Sequence, residues 1–200
     1  MKTPDFYREI KTIKLQDELA DFLGAFEDGI IEFSYEEVAK MAGHSCATVA
    51  SSYLMIAKGL DFLHDKELPK RGNIEVFING TKDTGVNGVI AKVASLITGA
   101  CEEDGFGGIA GNFNRKNLLF FEKNLDCDMM LRRKDNQKCA KIFLDLSQAD
   151  GDPRQNILLQ KIIQGVANQD EKNLFKTIWQ TRVRKILVEN FDNSELVRVR

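Results

Sequence analysis

The stretch from Cys46 to Leu63 carries only two charged residues, Lys58 and Asp61, and its apolar side chains fall at a spacing that predicts a helix hydrophobic on every side. Such a helix cannot rest on a surface. It has to be covered by its own domain or by a second subunit, so it fixes the centre of the fold before any other element is placed. A chain of 200 residues with 43% hydrophobic content can supply the cover, since a domain of this size buries ~70% of its surface. One domain with terminal additions is expected.

The remaining pattern builds around that helix. Leu15, Leu19, Phe22, Leu23 and Phe26 recur at helical spacing until Asp28-Gly29. Ser34 with Glu37 predicts a capping box for a short helix ended by Gly43. After Pro69-Lys70-Arg71-Gly72, the alternation of Ile74, Val76 and Ile78 predicts a strand, and Val86, Val89, Ile90, Val93 and Ile97 predict a second helix ending near Gly99. Strands are expected over 107–113, 117–121, 125–132 and 139–146, with Cys127 facing inward. Asp152 is read as an N-cap with Pro153 in the first helical turn. Ile157, Leu158, Ile162 and Val166 stripe one closing helix, and Leu174, Phe175, Ile178, Trp179, Val183, Ile186 and Leu187 stripe the other. The fold class is α+β, a helix-strand-helix unit followed by several strands in a mixed sheet, with extra N- and C-terminal helices. Residues 1–33 form the N-terminal extension, 34–148 the core and 149–200 the C-terminal helical segment.

The net charge of −2 and a pI near 5.8 give no general attraction to phosphate backbones or anionic membranes. The N-terminus lacks the apolar run of a signal peptide, so a cytoplasmic protein without a membrane partner is expected. Cys46, Cys101, Cys127 and Cys139 form no Cys-x-x-Cys pair, which excludes a zinc ribbon and a dithiol redox motif.

Two readings compete around Gly43. Glu37 to Val49 resembles the helix-turn-helix of a lactose-repressor-type regulator, yet Cys46 to Ile56 offers few polar groups for base edges and no cation for phosphates. No nucleic-acid partner is therefore expected. His44 and Cys46 instead set an imidazole and a thiol at a helix mouth, where exposed amides favour anions and both side chains suit a borderline-soft metal. Two ligands are not a site. Cys101, Glu102 and Asp83, at the ends of other elements, are the candidates to complete it; the simpler alternative has His44 satisfying a helix end and Cys46 filling a small pocket. Gly105-Phe106-Gly107-Gly108-Ile109-Ala110 follows a helix and opens a strand, the reverse of a dinucleotide fingerprint. His64 is read as a solvated helix end.

Gly43-His44-Ser45-Cys46 at the head of a long buried helix, Asp83 before a second helix, Thr98-Gly99-Ala100-Cys101 at its end and then Gly107-Gly108 resemble the core domain of the FmdE-like family, which takes its name from formylmethanofuran dehydrogenase. The resemblance covers about residues 34–146. Ala47-Thr48 stands where that family has Pro-Gly, and Cys101 is displaced by one residue. What it implies is a zinc or other transition metal at His44 and Cys46, assisted by Cys101 and Asp83, and an intertwined homodimer. A metal- or small-molecule-binding protein is the expected function. A cysteine- or metal-dependent enzyme is the alternative, and a DNA-binding regulator the second alternative.

Overall fold

In a computed structural model describing residues 3–65, 67–122 and 124–200, the apolar helix lies where its composition demands. This helix, α3, spans Ala47–His64, and from Val49 to Leu60 every residue except Lys58 is buried. Its cover comes from its own chain: α2 (Tyr35–Ala42), α4 (Asn87–Thr98), strands β5 (Met129–Arg133), β6 (Cys139–Leu144) and β7 (Val197–Val199), and a π-helical turn at Lys185–Glu189. Of the two kinds of cover open to this helix, its own domain or a second subunit, the chain itself supplies the one seen here, and the buried length of α3 has no surface to present to a DNA groove.

The main sheet is mixed and has the order β4-β3-β5-β6-β7, with β3 at Ile74–Asn79 and β4 at Leu119–Glu122. Strands β3 and β4 run parallel and are joined through α4, while the other neighbours are antiparallel. Ile74, Val76, Ile78, Met129, Leu131, Ala140 and Ile142 are fully buried in the core shared with α3. The approach is close at Gly59, where a Cβ would come within 2.6 Å of Ile142 Cδ1 and 2.7 Å of Leu131 Cδ1. The α+β class holds, and no helix of the described residues is long and apolar enough to cross a membrane.

The first third departs from the helix expected over 15–26. It forms β1 (Ile13–Gln16), a single-turn α1 (Glu18–Phe22) and β2 (Ile30–Phe33), the two strands pairing antiparallel. Leu15 is buried while Phe22, Leu23 and Phe26 stand exposed, so residues at helical spacing do not share a face. Asp17 breaks the run by capping α1, accepting hydrogen bonds from Leu19 N–H at 3.0 Å and Ala20 N–H at 3.3 Å. The Tyr53 hydroxyl, 2.8 Å from Lys11 O and 2.9 Å from Phe33 O, fastens this pair of strands to α3.

Three smaller expectations also change. Residues 107–113 form a loop with an isolated bridge between Ile109 and Asn112, because Ala110 and Phe113 take positive φ values of 48° and 61° that a strand cannot contain. Helix α5 is Gln155–Ile163, begun after Arg154, with Asp152 Oδ1 instead accepting from Arg154 N–H. In it Leu158 is buried but Ile157 is exposed, as is Val166 beyond its end; α6, Gln169–Arg184, buries Ile178 and Val183 as expected.

His64 is not solvated. It is 4% exposed, and its buried Nε2 has no hydrogen-bond partner among the described residues. Burial, then the nearby charge of Arg133, lowers its pKa to about 4. The unfolded chain accepts a proton near pH 6.5 that the folded ring resists, so this contribution to stability is complete above pH 6.5 and declines as pH falls towards 4. Urea unfolding at pH 7 and 4.5 should differ by about 2 kcal/mol on this account, and His64→Gln should flatten the difference. An unchanged slope in the variant would assign the acid sensitivity to other groups.

Candidate functional site

The chain reverses between α2 and α3 through Gly43, His44 and Ser45, and Cys46 is the N-cap of α3. Its sulfur makes no capping bond to the helix amides. It lies instead 3.5 Å from His44 Nε2. The other ring nitrogen, His44 Nδ1, is 2.9 Å from Ala42 O, and since a carbonyl only accepts, Nδ1 carries the hydrogen. In the neutral ring Nε2 is then the lone-pair nitrogen, directed at the thiol. His44 is exposed and Cys46 half-buried, so the pair is accessible.

Ser45, between the two, is anchored from several sides. Tyr35 OH lies 2.8 Å from its hydroxyl, which is 3.3 Å from Gln180 Oε1, and Trp179 Nε1–H donates to Ser45 O at 2.9 Å. Burial raises the pKa of the Tyr35 phenol, which keeps it a proton donor. Helix α6 therefore holds the backbone that presents His44 and Cys46. Two clefts meet at this point, both lined by Tyr7 and Ser45. One, of about 350 Å³, reaches Glu36, Lys40 and His44; the other, of about 410 Å³, is walled by Phe175, Trp179 and Gln180.

The other expected ligands have different neighbours. Cys101 follows α4 and has Arg71, Arg115 and Asp104 as its charged neighbours, whereas Cys46 caps the N-terminus of α3 beside His44. Burial, then the charge of Asp104, raises the Cys101 pKa, and its thiol donates to Gly99 O at 3.8 Å. Asp83 is exposed in the loop before α4 and accepts from Thr81 Oγ1 at 2.6 Å, which lowers its pKa. Glu102 is paired with Lys82. Among the described residues no group of three or more His, Cys, Asp or Glu side chains is gathered to hold a metal ion. The structure unites His44 with Cys46 and leaves the rest apart.

Sequence reading did not find the support from Tyr35, Trp179 and Gln180. Trp179 and the Gln180 beside it were visible only as parts of an amphipathic helix; their contact with Ser45 spans more than a hundred residues and has no local signal.

No protein-family profile matches the sequence, and no curated protein matches it. Among solved structures, the chain is similar to a tungsten formylmethanofuran dehydrogenase FmdE-like protein from Syntrophus aciditrophicus, at 16% identity and a TM-score of 0.43, over 84% of this chain and 71% of that one. That protein bears the family name of the resemblance read from Gly43-His44-Ser45-Cys46.

Proposed function

We propose that the protein binds a zinc-class metal ion, and a small ligand beside it, at His44 and Cys46. The observation that carries this reading is the 3.5 Å separation of His44 Nε2 from Cys46 Sγ. Zinc bonds of ~2.0–2.1 Å to imidazole and ~2.3 Å to thiolate, at a tetrahedral angle, put the two donors about 3.6 Å apart. The Nδ1–H bond to Ala42 O is the outer support that metal-bound imidazoles use to hold their tautomer. A bound ion would act as a Lewis acid beside the clefts. The other positions around it would fall to water, to the ligand or to donors of a second copy, which is where a homodimer would enter.

Elemental analysis of protein purified without chelator or affinity metal tests this directly. Zinc-class metal is expected in the wild type, and His44→Ala and Cys46→Ser should each weaken its retention by about tenfold or more while the far-UV spectrum stays native. A wild type that contains no metal and gains none on reconstitution overturns the reading.

A second reading is favoured by the same tautomer. With Nε2 as acceptor beside a thiol at a helix mouth, His44 could serve as base to a nucleophilic Cys46. In that case metal-free protein should be alkylated at Cys46 faster than His44→Ala across neutral pH. Equal rates would remove the enzyme reading.

A further inference from the structure

At the other end of α3 lies a cavity of about 300 Å³ whose lining includes Lys70, Arg71, Gly72, Phe113, Arg115 and Lys134. Its floor is a charge cluster in which two guanidinium groups share one carboxylate. Asp17, 3% exposed, accepts from Arg71 Nη1 at 2.9 Å and from Arg115 Nη2 at 2.5 Å. Arg71 is otherwise occupied, donating to Leu96 O and Ile97 O at the end of α4. Arg115 is not. It is 7% exposed, and among the described residues its Nη1 and Nε have no acceptor. Burial, which disfavours its charge, is only partly offset by Asp17, and Arg71 opposes it further.

The backbone accommodates this arginine specifically. A Cβ on Gly72 would overlap Arg115 Nη1, so only glycine leaves the guanidinium its place in the cavity wall. At the rim, Lys70 is matched by Glu18 and Asp135 is held by Arg133, while Lys134 forms no ion pair among the described residues. A half-compensated buried arginine facing a cavity with a second unmatched cation at its mouth is the arrangement that recognises an oxyanion.

We infer that this cavity binds the oxyanion group of a small molecule, a phosphate or a carboxylate, with Arg115 as the buried donor and Lys134 as the cation at the rim. The volume admits a small ligand, and Phe113 offers a wall for its apolar part. The site is independent of His44 and Cys46.

Inorganic phosphate titrated at low ionic strength, with succinate in parallel, should produce saturable shifts in the backbone amide resonances of Gly72, Asn73, Arg115 and Lys134. The tighter of the two assigns the oxyanion. Sodium chloride at matched ionic strength should produce none. Lys134→Glu, at an exposed position, should raise Kd by about tenfold or more. Arg115→Lys keeps a charge for Asp17 but loses the planar fork and should weaken binding similarly. The inference is overturned by shifts that match those of chloride, by saturable shifts confined to the His44 end, or by wild-type affinity in a folded Lys134→Glu.

Discussion

Leu54→Glu is expected to leave the chain unfolded at 25 °C. Leu54 is wholly buried in the middle of α3, within the core that joins the helix to the sheet. The substitution discards buried packing worth ~2–5 kcal/mol and places a carboxyl group among side chains that offer it no hydrogen bond, a further cost of several kcal/mol. Together these rival the ~5–15 kcal/mol by which folded domains exceed their unfolded states. Leu54→Ala removes the packing without adding a polar group, so it should remain folded with a melting temperature lowered by about 5–20 °C. Circular dichroism of both variants checks the pair of outcomes. A Leu54→Glu protein that melts like the wild type would mean that α3 is not the core.

Asp17→Ala should be nearly as damaging, at about 3–5 kcal/mol, because it strips the carboxylate from two arginines and leaves Arg115 buried with no counter-charge. It also deletes the N-cap of α1. Although burial by itself would raise the Asp17 pKa, the hydrogen bonds and charges of Arg71 and Arg115 outweigh it and lower the value. A group of this kind stabilises the fold above its unfolded pKa and loses that contribution as pH falls through its folded value. The wild type should therefore show an acid-induced loss of stability below about pH 4 that Asp17→Ala lacks. Chemical denaturation of both proteins across acid pH measures it, and parallel profiles would show that the cluster does not hold the carboxyl ionised.

Where helix and strand periods were expressed over a long run, the sequence reading and the fold agree. Val93 and Ile97 of α4 and the alternating buried residues of β3 are of this type; the strand expected over 125–132 begins only at Met129, so Cys127 is buried from a bend before β5 and not from its inward face. The first third misled because its apolar residues follow a helical period without serving one surface. Leu15 belongs to a strand, Phe22 and Phe26 are exposed, and the interruption at Asp17 is set by arginines 54 and 98 residues away. The strand β7 was missed although Val197-Arg198-Val199-Arg200 alternates cleanly; three residues are too short a run to separate from a tail. At the candidate site, His44 and Cys46 were legible because they lie two residues apart at a helix boundary. The cavity around Arg115 was not, since its floor comes from three separate segments of the chain.

The cover over α3 also sets an order of events in biosynthesis. The long buried helix leaves the ribosome early, at residues 47–64, but Val183, Ile186, Leu187, Leu196 and Val197, which close over its core, emerge more than a hundred residues later. During that interval the nascent chain displays a hydrophobic segment with part of its lid still unmade, the condition that recruits chaperones and rewards slow, uninterrupted elongation. A stop codon or proteolytic cut near residue 180 would therefore do more than shorten a surface helix. It would release a chain whose central helix is permanently uncovered, and such fragments should be found in the aggregated fraction of the cell.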